Sequence, residues 1–286
     1  MEKSNFVFHA DSTEIVSFFR DNSNYIIEHD SEIEQNEKFC AIYFSSNGLY
    51  DPNTADAFNY QVVRTNKYEW YRTRVEKATK HIFLRDIKKQ FYLNGINEQL
   101  NSVEKLFYFL QIETKGYKVI AIGSSSGGYA AVLFGSKLNA EIIYTFNGQF
   151  SLFKYLDRSS ELDDPILFRE RNNPLINRFF SINSYIVNPK AVFYFYSCWS
   201  KIDIEQYTTI KDLGLQVIFF KTSHHGIPFL KSTLSHVINM KRCYLDTLVG
   251  YYYYPLIFSV KIGGVSKTLF SLTNQLIDKY ILKRFF

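Results

Sequence analysis

The chain has few cysteines, and those it has lie far apart. Cys40, Cys198 and Cys243 are the three in 286 residues, and no Cys-x-x-Cys pair occurs. An odd number of separated thiols suggests neither a disulfide framework nor a structural zinc site. The sequence also lacks His-Glu-x-x-His, a His-x-His pair and a carboxylate cluster, so we expect no bound metal.

A strong excess of one charge and a long apolar run are also missing. The 33 Lys and Arg residues exceed the 28 Asp and Glu residues by 33 − 28 = 5, which is far from the dense basic surface of a nucleic-acid-binding protein. The sequence contains no run of about eighteen apolar residues, which a transmembrane helix would need. The first residues reach Glu14 before any useful apolar stretch, unlike a secretory signal peptide, so we expect a cytoplasmic protein.

The sequence does contain enough apolar residues for a full core. Its 46% hydrophobic and 21% charged residues exclude a disordered or collagen-like chain, and its length fits one α/β domain or two small ones. Short apolar runs predict strands, and three- or four-residue apolar spacing predicts helices. The predicted strands are 25–27, 38–46, 60–64, 81–85, 117–122, 141–146, 191–196 and 216–220; the predicted helices are 12–20, 97–115, 129–138, 204–213 and 227–240. Their alternation, with apolar rather than alternating strands, predicts an α/β fold with a parallel sheet covered on both faces.

Ser125 stands in the most informative segment. The pattern Gly123-x-Ser125-x-Gly127 lies between a predicted strand and a predicted helix. This is the nucleophile-elbow pattern, in which a serine on a strained turn needs small neighbours because the turn crowds the adjacent strand and helix. The backbone N–H of Ser126 then falls in the first helical turn, where the helix dipole favours an oxyanion. We therefore predict Ser125 as a nucleophile.

Two other interpretations of this segment fit the residues less well. A phosphate-binding loop would need either the GxxxxGK[ST] spacing or the GxGxxG pattern. The segment lacks the first spacing, and a serine occupies the position of the second glycine of GxGxxG. Residues 263–268 look similar to such a loop, but no glycine directly precedes Lys267. A patatin-like Ser-Asp dyad usually places its aspartate in an Asp-Gly pair, and the sequence contains none.

A serine nucleophile needs a base, and the base needs an acid to orient it. Asp203 follows the predicted strand 191–196, and His224 and His225 follow the predicted strand 216–220, which gives the order Ser, Asp, His. Both loops leave the carboxyl ends of strands, where ligands bind in open α/β sheets. We prefer His225 because Gly226 permits a tight approach, and we keep His224 as the alternative base. Asp203 has the alternative role of a helix N-cap, with Glu205 as the reserve acid.

A second oxyanion donor is expected from the loop after an early strand. Residues 44–48 supply the well-placed candidate loop, and the backbone N–H groups of Ser46 and Asn47 are the candidate donors beside that of Ser126.

Two segments depart from the α/β alternation. Residues 151–189 are charged and contain proline, and we interpret them as a helical cap inserted between sheet strands. Residues 1–242 would form the main domain, and 243–286 a helical, aromatic tail whose docking the sequence leaves open. The Lys, Arg and aromatic residues of the tail are compatible with peripheral membrane contact, but a plain docking helix is the preferred interpretation.

Beyond the elbow, residues 39–240 resemble proteins of the α/β-hydrolase fold, and more narrowly the serine acyl-transfer proteins of bacterial capsule and surface-polysaccharide loci, such as the meningococcal capsule O-acetyltransferases. The segments that carry the resemblance are FLRDIKKQFYLNGI, KVIAIGSSSGGYAAVLFGSKLNA, TFNGQF, YFYSCWSKID and SHHGIPF. By motif position the resemblance implies Ser125 as nucleophile, His225 as base and Asp203 as acid. It also draws attention to substrate-binding candidates beside the elbow: Arg85, Asp86, Tyr92 and Gln149.

The resemblance implies a specific reaction where the motifs alone imply acyl transfer. The leading hypothesis is O-acetylation of a bacterial capsular or surface glycan through an acyl-Ser125 intermediate. Acetyl-CoA is then the acyl donor, a co-substrate rather than a bound cofactor. The alternatives are an esterase with the same triad and a non-catalytic α/β-hydrolase-like binding protein, since a fold does not fix a function.

Overall fold

The protein is built around one eight-stranded sheet. The computed structural model describes residues 8–30, 37–266, 268–270 and 273. Within these ranges the strands are β1 (Tyr25–His29), β2 (Phe39–Phe44), β3 (Lys80–Leu84), β4 (Lys118–Ser124), β5 (Ile142–Phe146), β6 (Val192–Ser197), β7 (Gln216–Phe220) and β8 (Tyr252–Tyr253). Their order in the sheet is β1-β3-β2-β4-β5-β6-β7-β8.

The sheet is parallel except at one edge. Strand β1 pairs antiparallel with β3, and every other neighbouring pair is parallel. The register aligns the carboxyl ends of the central strands, since Phe44 lies opposite Gly123 and Ser124 lies opposite Phe146. The loops that follow β2, β4, β5, β6 and β7 therefore meet at one edge of the sheet.

Helices cover both faces of the sheet, as the apolar strand pattern predicts. They are α1 (Thr13–Asp21), α2 (Ala55–Phe58), α3 (Val103–Glu113), α4 (Ser126–Lys137), α5 (Leu152–Leu156), α6 (Pro165–Glu170), α7 (Pro174–Asn177), α8 (Lys201–Thr208), α9 (Leu234–Ile238), α10 (Arg242–Asp246) and α11 (Pro255–Gly263). Successive strand residues point to opposite faces, so Ile42 and Phe44 pack in one core with α3 and α4, whereas Tyr43 packs in the other with α9 and α11. The predicted α/β fold, with a mainly parallel sheet covered by helices on both faces, is thus confirmed.

Four sequence-predicted elements differ from the structure. The predicted strand 60–64 is the π-helical segment Asn59–Arg64, which continues α2 and buries Val62. The predicted helix 97–115 begins later, at Val103, because the Asn97 side chain accepts the N–H groups of Gln99 and Leu100 in a turn. The predicted helix 204–213 runs from Lys201 to Thr208, and the predicted helix 227–240 shortens to a 3-10 turn, Lys231–Thr233, and α9.

The predicted cap is a helical excursion between β5 and β6. It contains α5, α6 and α7, and an isolated bridge between Ser151 and Ser181 closes its base. Gln206 of α8 anchors the entry, because its Oε1 accepts the N–H groups of Phe150 and Ser151 at 2.8 and 2.9 Å.

The tail, whose docking the sequence leaves open, packs on the sheet where the structure describes it. Strand β8 pairs with β7, and Leu245, Leu248 and Phe258 are buried in the same core as Phe220. The rest of the predicted tail, residue 267, residues 271–272 and residues 274–286, lies outside the described residues. Across those described, every helix falls short of the length and apolar character needed to cross a bilayer.

Candidate active site

Ser125 occupies a strained turn between β4 and α4. Its φ of 53° and ψ of −122° lie outside the ordinary regions for a side-chain-bearing residue, which is the strain expected of a nucleophile elbow. The flanking glycines are required by space. A Cβ on Gly123 would lie 2.0 Å from the carbonyl oxygen of Gly127, and a Cβ on Gly127 would lie 2.3 Å from that of Phe44. The local sequence therefore selects the turn that presents Ser125.

The structure brings Ser125, His225 and Asp203 together in one hydrogen-bonded chain. His225 Nε2 lies 2.8 Å from Ser125 Oγ, and His225 Nδ1 lies 2.9 Å from Asp203 Oδ1. Because the carboxylate can only accept, Nδ1 of a neutral imidazole carries the proton, and Nε2 is left to accept the hydroxyl proton of Ser125. A base so oriented can activate a serine for attack on an acyl carbon.

Asp203 does not cap helix α8. Ser200 is the N-cap, and its side chain accepts the N–H of Asp203. The Asp203 side chain is completely buried in the first turn of the helix, where the positive end of the helix dipole favours a carboxylate. Glu205, the reserve acid, instead forms an ion pair with Arg158. The two carboxylates therefore have different surroundings, and the one beside the imidazole is Asp203.

The two adjacent histidines face different surroundings. His225 is in the chain to Ser125, whereas His224 is exposed and its backbone carbonyl accepts the Ser197 hydroxyl at 2.7 Å. Partial desolvation by the surrounding protein, and then the nearby His225, lower the pKa of the exposed His224 ring. The geometry favours His225 as the base, in agreement with the preference for the residue before Gly226.

Asn147 is a site residue that sequence reasoning missed. It follows β5 and is completely buried. Its Nδ2 donates to the carbonyl of Gly226 at 2.8 Å and to Ser197 Oγ at 2.7 Å, and its Oδ1 accepts the N–H of Ser197 at 2.8 Å. These bonds tie the ends of β5 and β6 to the loop that carries His225. The signal was its position in TFNGQF, directly after a strand at the edge of the sheet that carries the elbow.

The loop N–H groups predicted as oxyanion donors have acceptors within the protein. The N–H of Ser46 donates to the carboxylate of Glu69, which also accepts from Ser46 Oγ at 2.9 Å. The N–H of Asn47 donates to Ser126 Oγ at 2.9 Å. The loop does lie against the start of α4, but both N–H groups have protein acceptors. The N–H of Ser126, at the first position of α4, is among those that a helix leaves without an intrahelical acceptor.

Three of the four predicted substrate contacts are buried and hydrogen-bonded within the protein. Arg85 is buried and donates to Asn24 Oδ1 at 3.1 Å. Asp86 is buried and accepts the N–H groups of Gln90 and Tyr92 at 2.8 Å each. The Tyr92 hydroxyl donates to the carbonyl of Ser45 at 2.9 Å.

Tyr92 therefore ties its own loop to the loop after β2, and Asp86 fixes the backbone of Tyr92. Gln149 differs from them, because its Nε2 lies 3.2 Å from Ser125 Oγ.

The structural role of Asp86 predicts a pH-dependent stability. Burial raises the pKa of Asp86 from its ordinary 3.8 to about 6, although backbone N–H groups oppose the shift. Since the folded protein binds this proton more tightly than the unfolded chain, the stabilising contribution is complete below pH 3.8 and is lost as the pH rises through 6. We expect the free energy of unfolding of wild type, relative to Asp86→Asn, to fall by about 2–3 kcal/mol between roughly pH 4 and 7.

Urea unfolding of both proteins across that range measures the difference, in which the other titrating groups cancel. Parallel pH profiles for the two proteins would contradict a buried, proton-binding carboxyl. A role of Asp86 in substrate contact would appear separately, as a raised KM in Asp86→Asn.

A polar cavity of about 180 Å³ borders the site. It is lined by His9, Asn47, Tyr50, Asn53, Lys88, Lys89, Tyr155, Asp163 and Asp164. Asn47 connects it to the elbow, because Asn47 Oδ1 accepts the Ser126 hydroxyl at 2.8 Å. Burial lowers the pKa of Lys89 to about 8. The cavity therefore offers charged and hydrogen-bonding groups on the cap side of the triad.

No protein-family model and no curated protein matches the chain. Among solved structures, the capsule O-acetyltransferase of Neisseria meningitidis serogroup A is similar at 15% identity and a TM-score of 0.46, over 69% of this chain and 82% of that chain. A fluorophosphonate-binding serine hydrolase of Staphylococcus aureus is 10% identical, with a TM-score of 0.42, over 68% of this chain and 88% of its own. An acylaminoacyl peptidase of Pyrococcus horikoshii is 19% identical, with a TM-score of 0.37, over 68% of this chain and 33% of its own. These likenesses concern the fold alone.

Proposed function

We propose that the protein is a serine-dependent acyltransferase, which carries an acetyl group from acetyl-CoA on Ser125 to a hydroxyl of a bacterial capsular or surface polysaccharide. The observation that carries the acyl-transfer chemistry is the chain from Ser125 Oγ through His225 to the buried Asp203, with distances of 2.8 and 2.9 Å. Acetyl and glycan are named because the segments around the elbow, Asp203 and His225 resemble those of capsule O-acetyltransferases.

The reaction proceeds in two balanced halves. In the first, His225 Nε2 takes the Ser125 hydroxyl proton as the Oγ–carbon bond forms, and the carbonyl electron pair moves to oxygen. That pair returns as the carbon–sulfur bond breaks, and the coenzyme A sulfur leaves with the proton from His225. In the second, a glycan hydroxyl gives its proton to His225 and attacks the acetyl carbon, and Ser125 leaves with that proton. Asp203 holds the ring and stabilises the imidazolium in both halves.

The cavity beside Asn47 supports a polar acceptor. Its lining combines lysine ammonium groups, Asp163, Asp164 and the amide of Asn53, which are hydrogen-bonding partners suited to a hydroxyl-rich ligand. Lys89 is partly engaged already, because its Nζ donates to the carbonyl of Tyr50 at 2.6 Å.

An esterase is the second candidate function, and one observation favours it. The His225 side chain is 32% exposed, so water can approach the acyl-enzyme and replace a sugar hydroxyl as the acceptor. The same triad serves both reactions, and the choice depends on which hydroxyl reaches the acetyl carbon.

The place of the reaction is part of the proposal. We propose a cytoplasmic protein, because the donor acetyl-CoA is a cytoplasmic metabolite. Leu256 and Ile257 of α11 are exposed, whereas Phe258 of the same helix is buried in the core. We propose that this exposed side of α11 provides the peripheral contact with the membrane or with the capsule-assembly machinery.

Incubation of the purified full-length chain with acetyl-CoA labelled in the acetyl group, with and without capsular polysaccharide, tests the function. We expect labelled acetate esters on the glycan and free coenzyme A in equal amounts. Release of coenzyme A with free acetate only, in the presence of several glycans, would assign the hydrolase instead. Mass spectrometry of the glycan and enzymatic assay of acetate measure the two products.

A further inference from the structure

The side-chain amide of Gln149 faces the nucleophile, and its orientation follows from counting protons. Gln149 is 3% exposed, and its Nε2 lies 3.2 Å from Ser125 Oγ. Ser125 has one hydroxyl proton, which the 2.8 Å contact gives to His225 Nε2. The Ser125 oxygen can therefore only accept from Gln149, so the amide end that faces it must be the NH₂ group.

The backbone around Gln149 is fixed on both sides. Before it, Gly148 packs against Gly128 of α4, since a Cβ on Gly128 would lie 2.7 Å from the Gly148 Cα. After it, the N–H groups of Phe150 and Ser151 donate to Gln206 Oε1. The amide is thus held against the first turns of the elbow helix.

The other end of the same Gln149 amide is its carbonyl oxygen, Oε1. Among the described residues, the buried Oε1 of Gln149 has no hydrogen-bond donor. A buried, unsatisfied carbonyl destabilises a fold and calls for an explanation. An amide whose NH₂ group must point at Ser125 has its Oε1 directed away, into surroundings that offer no donor.

We propose that Gln149 is a catalytic residue that donates its Nε2–H to the oxyanion of the acyl-transfer intermediate, together with the backbone N–H of Ser126. This inference rests on the proposed function of Ser125. The donors expected from the loop after β2 are occupied, Ser46 by Glu69 and Asn47 by Ser126. Side-chain amides of Asn and Gln serve as oxyanion donors in other acyl-transfer sites.

The Gln149 amide N–H is expected to change its hydrogen-bond acceptor during the reaction. In the free enzyme the amide N–H donates to the Ser125 hydroxyl oxygen. When Oγ bonds to the acyl carbon, its proton passes to His225 and Oγ becomes a weaker, ester-like acceptor. The carbonyl oxygen on the same carbon gains the full negative charge, so the amide N–H donates to that oxygen instead. The interaction is then stronger in the transition state than in the ground state, which is the condition for catalysis.

Fluorophosphonate labelling tests this role without a known acceptor. His225 Nε2 takes the Ser125 hydroxyl proton as the Oγ–phosphorus bond forms, fluoride leaves with the electron pair of the phosphorus–fluorine bond, and the phosphoryl oxygen occupies the oxyanion position. We expect Gln149→Met, which keeps the length of the side chain but has no donor, to label about 10²- to 10³-fold more slowly than wild type. We expect its affinity for coenzyme A to stay within about twofold, because a transition-state donor is not a ground-state contact.

Gln149→Glu provides a second variant, which keeps the shape and lacks the N–H donor when ionised; it should label as slowly as Gln149→Met. Labelling of either folded variant within about tenfold of wild type would overturn the inference. If Glu69→Ala, which frees the N–H of Ser46, then labels faster than wild type, the second donor is Ser46. A loss of coenzyme A affinity in Gln149→Met as large as the loss of labelling rate would also overturn the inference, because it would make Gln149 a contact for the bound substrate.

The outcome is separable from that of the proposed function. Wild type that reacts with the fluorophosphonate but transfers no acetyl from acetyl-CoA would contradict acetyl-CoA as the acyl donor. The comparison of Gln149 variants with the fluorophosphonate would remain valid. Wild type that reacts with neither would overturn both.

Discussion

Replacement of Ser125 with alanine is expected to lower the rate of acetyl transfer by about 10⁶-fold, because the covalent route needs the Oγ that alanine lacks. Binding and the oxyanion donors would still accelerate direct transfer over the uncatalysed reaction, so a small residual rate is part of the expectation. Intact-mass measurement after incubation with acetyl-CoA should show an acetyl adduct on wild type and none on Ser125→Ala.

Ser124→Ala is the matched control for this variant. Ser124 is the last residue of β4, adjacent in the chain, but the hydrogen bonds to His225 and Gln149 are made by Ser125. The control should form the adduct at a rate close to that of wild type. An adduct that persists in Ser125→Ala would contradict Ser125 as the nucleophile. The absence of any adduct or turnover in wild type, with an unchanged phenotype in cells that carry Ser125→Ala, would favour the non-catalytic binding protein.

Replacement of His225 with alanine should cost nearly as much as the loss of the serine, about 10⁶-fold in the rate constant, because base and nucleophile act as one unit. Without the imidazole, the Ser125 hydroxyl has no acceptor for its proton and remains a poor nucleophile. The buried carboxylate of Asp203 also loses the His225 contact of 2.9 Å, so a thermal melt should accompany the assay to verify that the variant folds.

His224→Ala is the matched control and decides between the two histidines. The structural role of His224 lies in its backbone carbonyl, which accepts from Ser197 Oγ at 2.7 Å and is kept in the variant. We expect His224→Ala to retain activity within a few-fold of wild type. The reverse pattern, with activity lost in His224→Ala and kept in His225→Ala, would reassign the base. Pre-steady-state acylation by acetyl-CoA measures both variants on the same step.

The fold and the position of the nucleophile could be predicted because their signals are local. Apolar runs such as that of β4 predict strands buried on both faces, and the Gly123-x-Ser125-x-Gly127 pattern predicts the turn that its own sterics enforce. The placement of Asp203 and His225 after successive strands then followed from one rule, that the carboxyl ends of parallel strands share an edge. The observed distances of 2.8 and 2.9 Å agree with that rule.

The errors occurred where local pattern and tertiary environment compete. Residues 60–64 carry two valines, yet they continue α2: only Val62 of the five is buried, and no strand of the described sheet pairs with them. Asp203 could have capped a helix, but Ser200 does so, which leaves the carboxylate to His225. Arg85, Asp86 and Tyr92 lie in segments beside the elbow and still face the fold, since their partners are Asn24 and backbone groups of the chain.

Most of the central strands, the strained serine turn and the order of nucleophile, acid and base can be predicted from the amino-acid sequence alone, because each depends on neighbours along the chain or on a single rule of sheet topology. The hydrogen bonds between separate loops, in contrast, become visible once the chain is folded. Glu69 reaches the N–H of Ser46 from 23 residues away, and Gln149 reaches Ser125 from 24 residues away. Such pairings depend on how separate loops pack together at the edge of the sheet, and a hydrogen bond needs its two atoms within a few tenths of an ångström of the right distance.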